Sequence, residues 1–194
     1  SNGMYQKYHT DALVLGGREI GEADKMLTLY TRDFGLVRAR ARGIRAAKSK
    51  MRYALQNYSL ANVSLVKGRQ GWRLAGAVAL GSTNGNDIKG TMAFARVANL
   101  VSRFVTGEEA HTALFDILYE AHSALTQRAC EAWATIELVC VARVLYALGY
   151  ISNEALKSAL LTHTAYADEH LREAELVRDE LLSSINRAIT ETHL

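Results

Sequence analysis

Ten lysine or arginine side chains and not one aspartate or glutamate lie between Gly35 and Asn86. Seven of the ten, Arg38, Arg40, Arg42, Arg45, Lys48, Lys50 and Arg52, fall within fifteen residues. A run of this kind concentrates positive field in a small region, and the chemistry it suits is recognition of a polyanion. Arg38, Arg40 and Arg42 alternate with Val37, Ala39 and Ala41. A strand would therefore set the three guanidiniums on one face, about 6.6 Å apart. A guanidinium is always charged and forks onto phosphate oxygens, so three at that spacing suit successive phosphates of a nucleic acid backbone. A merely solvated face would mix both signs.

Lys67, Arg69 and Arg73 extend the basic set into the next strands. Tyr30, Phe34, Tyr53, Tyr58 and Trp72 lie within or beside these segments. Exposed aromatic faces stack on bases in single-strand binders, and Tyr58 and Trp72 are the candidates for that role; packing in a barrel core would use the same side chains. Nothing comparable points to catalysis. His9, His111, His122, His163, His170 and His193 show no metal-ligand spacing, and Glu22 with Asp24 lacks a third carboxylate for two-metal phosphate chemistry. Gly16, Gly17 and Gly21 are not followed by the Gly-Lys-Ser/Thr of a phosphate loop. Glu108-Glu109 reads as the charged start of a helix. No catalytic residue, metal or cofactor is assigned, and the chain reads as a non-enzyme.

The elements that must carry the basic residues are strands. Asp11 to Leu15 and Met26 to Thr31 are short runs of strand formers, and Arg32-Asp33-Phe34-Gly35 is a turn. Leu36 to Gly43 alternates, Ala54 to Val66 reads as one longer extended segment, Lys67 to Gly71 as a hairpin loop and Trp72 to Leu80 as a last strand. Five antiparallel strands around a basic connection predict a small, partly closed barrel over residues 4–81. Gly81 to Asp87 is polar and glycine-bearing, a linker. Beyond it the pattern is helical. Phe94, Val97, Ala98, Val101 and Val105, then Leu114, Ile117, Leu118, Ala121 and Leu125, recur at helical spacing. Trp133 to Leu148 is apolar on nearly every side and ends at Gly149, a C-cap candidate. Ala155 to Leu161 and Leu171 to Ile189 supply two more helices. The fold class is α+β, a five-stranded barrel followed by an all-α domain over residues 88–194.

The charge break matches this division: residues 1–80 carry +9 and residues 81–194 carry −6, which the overall +3 conceals. Cys130 and Cys140, ten residues apart, would point about 80° from each other on a helix, so neither a disulfide nor a shared metal is natural there. A reducing compartment follows. No apolar run has secretory or membrane-spanning length, and the chain reads as neither secreted nor membrane-bound. Ser1-Asn2-Gly3 ahead of Met4 reads as a tag remnant. Proline is absent, which excludes Pro-rich linkers.

The run Ala12 to Leu15, then Gly21 to Gly43 (GEADKMLTLYTRDFGLVRARARG), Lys48-Ser49-Lys50-Met51 and Ala54-Leu55-Gln56 resembles the N-terminal domain of the bacterial RecO family. Leu114 to Leu118 and Leu148-Gly149-Tyr150 resemble landmarks of its helical half. The resemblance implies an OB-fold followed by helices, in a cytoplasmic, nucleoid-associated repair factor without enzymatic activity. It implies binding to single- and double-stranded DNA and annealing of complementary strands. It also implies partnership with RecR and with the C-terminal tail of the single-strand binding protein SSB, so that RecA loads. An OB-fold adaptor for RNA or for an acidic protein is the alternative. Many members carry a four-cysteine zinc module after the Leu148-Gly149-Tyr150 position; this chain has no cysteine after Cys140, and Asn57 stands where the family usually has proline. By position the family's DNA-binding region falls on Arg38 to Arg52, the residues that charge alone selects. Arg143 is the only residue offered as a contact for the SSB tail.

Overall fold

A computed structural model describes residues 5–80, 88–128, 130–152 and 159–192. The chain divides into two compact units, Ser1–Ser82 with Phe104–Thr112, and Thr83–Arg103 with Ala113–Leu194. The expected linker at 81–87 and tag at 1–3 lie outside the described residues.

The first unit is a closed barrel of β1 (Lys7–Ile20), β2 (Asp24–Thr31), β3 (Gly35–Ala41), β4 (Leu60–Gly68) and β5 (Gly71–Ala79), ordered β1-β2-β3-β5-β4. β1 is longer than its apolar run suggests because it serves both edges of the ring. It pairs with β4 from Lys7 (opposite Val66) to Leu13 (opposite Leu60) and with β2 from Ala12 (opposite Thr31) to Ile20 (opposite Asp24), so Ala12 and Leu13 are paired on both sides. A register shift between Val14 and Gly16, within the ladder to β2, bends the strand just past the end of its pairing with β4. Two expectations are corrected here. The barrel closes fully, and β3 and β5 run parallel rather than antiparallel. The reason is topological: strand direction cannot alternate all the way round a ring with an odd number of members, so one neighbouring pair must be parallel.

The alternation of β3 is as expected, with Val37, Ala39 and Ala41 buried and Arg38 exposed. The single extended segment expected over Ala54 to Val66 is instead a short helix, α1 (Ser49–Ala54), a turn, and β4. Met51, Ala54 and Leu55 have helical spacing, and Ala54 and Leu55 are buried in the barrel core. The β4–β5 connection is only Arg69-Gln70, tighter than the five-residue loop expected.

The second unit is helical: α2 (Ile88–Phe104), α3 (Thr112–Gln127), α4 (Trp133–Ala147), α5 (Asp168–Leu176) and α6 (Arg178–Thr192). The apolar stripes Phe94-Val97-Ala98-Val101 and Leu114-Ile117-Leu118-Ala121-Leu125 are buried, and α4 is buried on most of its circumference. Gly149, with φ +86, ends α4. Its N–H donates to the Tyr146 carbonyl and that of Tyr150 to the Leu145 carbonyl, the paired bonds of a Schellman cap. The helix expected over Leu171 to Ile189 is two, separated by Val177 at φ −113°. Of the helix expected over Ala155 to Leu161, the described part is a 3-10 turn, Ala159–Thr162. No helix among the described residues is long and apolar enough to cross a membrane.

Phe104–Thr112 packs on the barrel rather than opening a helix at Glu108. The Leu36 N–H donates to the Gly107 carbonyl at 2.9 Å. Gly35, at φ +66°, makes the approach possible, since a Cβ there would fall 2.5 Å from the Glu109 carbonyl oxygen. Thr31 sets this turn: its buried hydroxyl accepts from the Phe34 N–H and donates to the Gly35 carbonyl. Replacing Gly35 by Ala should lower barrel stability by at least about 1–2 kcal/mol, the cost of a left-handed alanine alone, with the backbone clash added. Urea unfolding of the variant checks this; an unchanged midpoint would contradict it.

Candidate nucleic-acid interface

A cleft of about 900 Å³ opens on the barrel. Among the described residues it is lined by Arg18, Arg38, Arg40, Arg42, Arg69 and Arg73, with Tyr5, Met26, Thr28, Gln70 and Trp72 between and beside them. Strand register explains the grouping. Arg18 on β1 lies opposite Met26 on β2, Met26 opposite Arg40 on β3, and Arg40 opposite Arg73 on β5. Neighbouring strands are about 4.8 Å apart, so the row crosses four strands with three guanidinium-bearing positions. Arg38 stands one step along β3, opposite Thr28, and Arg69 comes from the tight β4–β5 turn. In five-stranded barrels of this kind the face of strands 2 and 3 and the loop between strands 4 and 5 take up oligonucleotides.

Acidic residues from outside the basic stretch temper this field. One carboxylate oxygen of Asp24 accepts from Arg40 Nε at 3.1 Å and Nη2 at 2.8 Å, and the other accepts from the Gly43 N–H at 2.8 Å. The Gly43 bond, then the Arg40 bond, hold the Asp24 carboxyl below its ordinary 3.8. Arg40 is thereby fixed on the cleft wall, whereas Arg38 and Arg42 are exposed. Glu108 accepts from Lys67 Nζ at 3.1 Å and from the Trp72 indole N–H at 2.9 Å. Desolvation raises the Glu108 carboxyl, but these two bonds and the Lys67 charge outweigh it and leave the carboxyl below its ordinary range.

The sequence-selected residues do not form one surface. Arg38, Arg40, Arg42, Arg69 and Arg73 share the cleft. Lys67 is turned to Glu108. Arg45 donates to the Gly21 carbonyl and lies 3.7 Å from Glu19, in a smaller hollow shared with Arg52. Lys50 and Arg52 line a third, open depression with Tyr53. Lys48 is the exposed N-cap of α1. Arg18, missed by the charge count because Glu19 follows it, is brought into the cleft by the β1–β2 pairing alone.

Neither stacking candidate offers an open ring face to the cleft. Trp72 is 6% exposed, packed edge-on against Tyr8 and tilted against Phe34 in the barrel core. With its N–H engaged by Glu108 it serves the core and offers no open face. Tyr58 is half-buried in a left-handed conformation, bonded through its N–H to Val14, and lines none of the cleft. Arg143, offered as a surface contact in the helical unit, is wholly buried. Its Nε and Nη1 donate to the Leu160 and Ala165 carbonyls at 2.9 and 2.8 Å, and its guanidinium lies over the Tyr166 ring. It stitches α4 to the 159–166 segment. Cys140 is free and buried, and burial pushes its thiol up to about 12. Among the described residues no three His, Cys, Asp or Glu side chains gather as a metal site.

Because the folded state lowers the Asp24 pKa, ionised Asp24 stabilises the barrel above the ordinary carboxylate range. That contribution is lost as pH falls from about 4 through the lowered value. The melting temperature of Asp24→Asn should therefore fall less steeply than that of the parent below about pH 4. Parallel profiles for the two proteins would show that the Arg40–Asp24–Gly43 cluster contributes nothing.

Residues 4–80 match the family model described as Recombination protein O N terminal. The DNA repair protein RecO of Desulfitobacterium hafniense is 45% identical over 62 residues, 32% of this chain and 23% of that protein. The protein of the same name from Pelotomaculum thermopropionicum is 41% identical over 63 residues, 32% and 25% of the two chains. That from Gloeothece citriformis is 30% identical over 128 residues, 65% of this chain and 45% of that protein. The chain thus spans between about a quarter and under half of the relatives it matches. Over its barrel, residues 4–80, this chain is similar to the N-terminal part of RecO proteins.

Proposed function

We infer that the chain is a non-enzymatic DNA repair and recombination factor whose barrel binds nucleic acid along the arginine cleft. The observation that carries this reading is the row Arg18, Arg40 and Arg73 with Arg38 beside it, running across four strands on the face where OB-folds take oligonucleotides. The similarity of residues 4–80 to RecO supports the biological setting of this reading: single- and double-stranded DNA as ligands, annealing of complementary strands, and action with RecR so that RecA loads on SSB-coated DNA. The helical unit, in the half that carries −6, is the side proposed to meet protein partners, including the SSB tail. Burial of Arg143 means the basic contact for that tail must come from another residue.

Affinity in this reading is electrostatic and independent of sequence. Each phosphate contact on a single strand contributes about 0.7 to the negative slope of log K against log salt. Replacing Arg38 and Arg42 together by Gln should flatten that slope by about 1.4 and weaken unrelated sequences alike. Replacing Arg172 and Arg178 in the helical unit should leave it unchanged. An Arg38/Arg42 variant with the parent slope and a normal thermal transition would contradict the reading. Competition by an acidic peptide as strong as that by DNA or RNA would favour the adaptor alternative.

A further inference from the structure

Trp72 is buried and Tyr58 lies outside the cleft, so one aromatic side chain is open to the cleft among its described lining residues. Tyr5 is 57% exposed and lies just before β1, beside the hairpin that carries Arg69. A Cβ placed on Gly68 would be 3.6 Å from Tyr5 Cε1 and 3.9 Å from Cδ1, so one edge of the ring lies beside the hairpin at Gly68, within van der Waals reach of a side chain there. An aromatic ring flanked by the hairpin on one edge, with more than half its surface free, stands at the edge of a groove lined by arginines. That combination suits an unpaired strand, whose backbone follows the cations while a base turns over to stack on the ring. A duplex cannot do the same, because its bases are already stacked on one another and present only edges in the grooves.

We propose that Tyr5 is a base-stacking residue of the cleft and biases it toward single-stranded over double-stranded nucleic acid. The proposal rests on the reading of the cleft as the nucleic-acid site and adds the residue and strandedness to it. Arg38, Arg42 and Arg73 supply charge to either form of ligand; Tyr5 supplies the term that only unpaired bases meet.

The test uses the full chain and three labelled probes of equal length: an oligothymidylate, an abasic strand and a duplex. Tyr5→Ala should weaken oligothymidylate binding by roughly 5- to 100-fold, while leaving the abasic strand and the duplex as they are for the parent. Tyr5→Phe should keep the parent affinity for all three. Tyr5→Leu, which covers Gly68 without an aromatic face, should behave as Tyr5→Ala and replaces it as the deciding variant if the alanine protein folds poorly. Equal losses on the oligothymidylate and the abasic strand, or no loss on either, would overturn the stacking role. The Arg38/Arg42 variant separates the two levels: if it too binds every probe like the parent, the cleft reading itself fails, whereas its loss of affinity beside an inert Tyr5→Ala refutes only the present proposal.

Discussion

β3 and β5 meet over one short parallel stretch, with Ala39 opposite Trp72 and Arg40 opposite Arg73, and the ring of strands closes there. The pairing has two faces. Inward, it sets Ala39 and Trp72 into a core where Tyr8, Phe34 and Trp72 pack with ring centroids 5.1 to 5.7 Å apart. Outward, it places two guanidiniums directly opposite each other, an arrangement that repels. Asp24, bonded to Arg40 from β2, offsets that repulsion. Without the parallel closure, the arginines of β3 would not share a surface with those of β5 and the hairpin.

The same acids that make the basic face tolerable also give it form. Asp24 joins the Arg40 side chain to the backbone at Gly43, where the chain leaves β3. Glu108 brings the Phe104–Thr112 segment onto Lys67 and the edge of Trp72. Exposed ion pairs of this kind contribute little to stability individually. Their larger effect is positional, because each removes one cation from free solution and leaves Arg18, Arg38, Arg42, Arg69 and Arg73 as the exposed arginines of the cleft.

What the sequence made legible is what depends on local period. The arginines of β3 and the helical stripes of the second unit were readable because alternation and 3.6-residue spacing need no partner. Arg18 was not: its place in the cleft depends on register with Met26, on another strand. Nor was the Asp24–Arg40 pair, which joins residues sixteen apart. α1 was too short at six residues for periodicity to separate it from the extended run that follows. Trp72 and Arg143 misled for one reason. A large aromatic beside basic strands and a lone cation on an apolar helix look available in sequence, yet both are buried and bonded, Trp72 to Glu108 and Arg143 to two backbone carbonyls.

The central claim is that this chain takes nucleic acid on the outer face made by β1, β2, β3 and β5. Titrating a single-stranded oligonucleotide into isotopically labelled protein and following the arginine Nε–Hε signals tests it most directly. Arg18, Arg38, Arg42, Arg69 and Arg73 should shift together, while Arg96, Arg143, Arg172 and Arg178 stay in place. Shifts confined to the helical arginines, with those of the cleft unmoved, would contradict it.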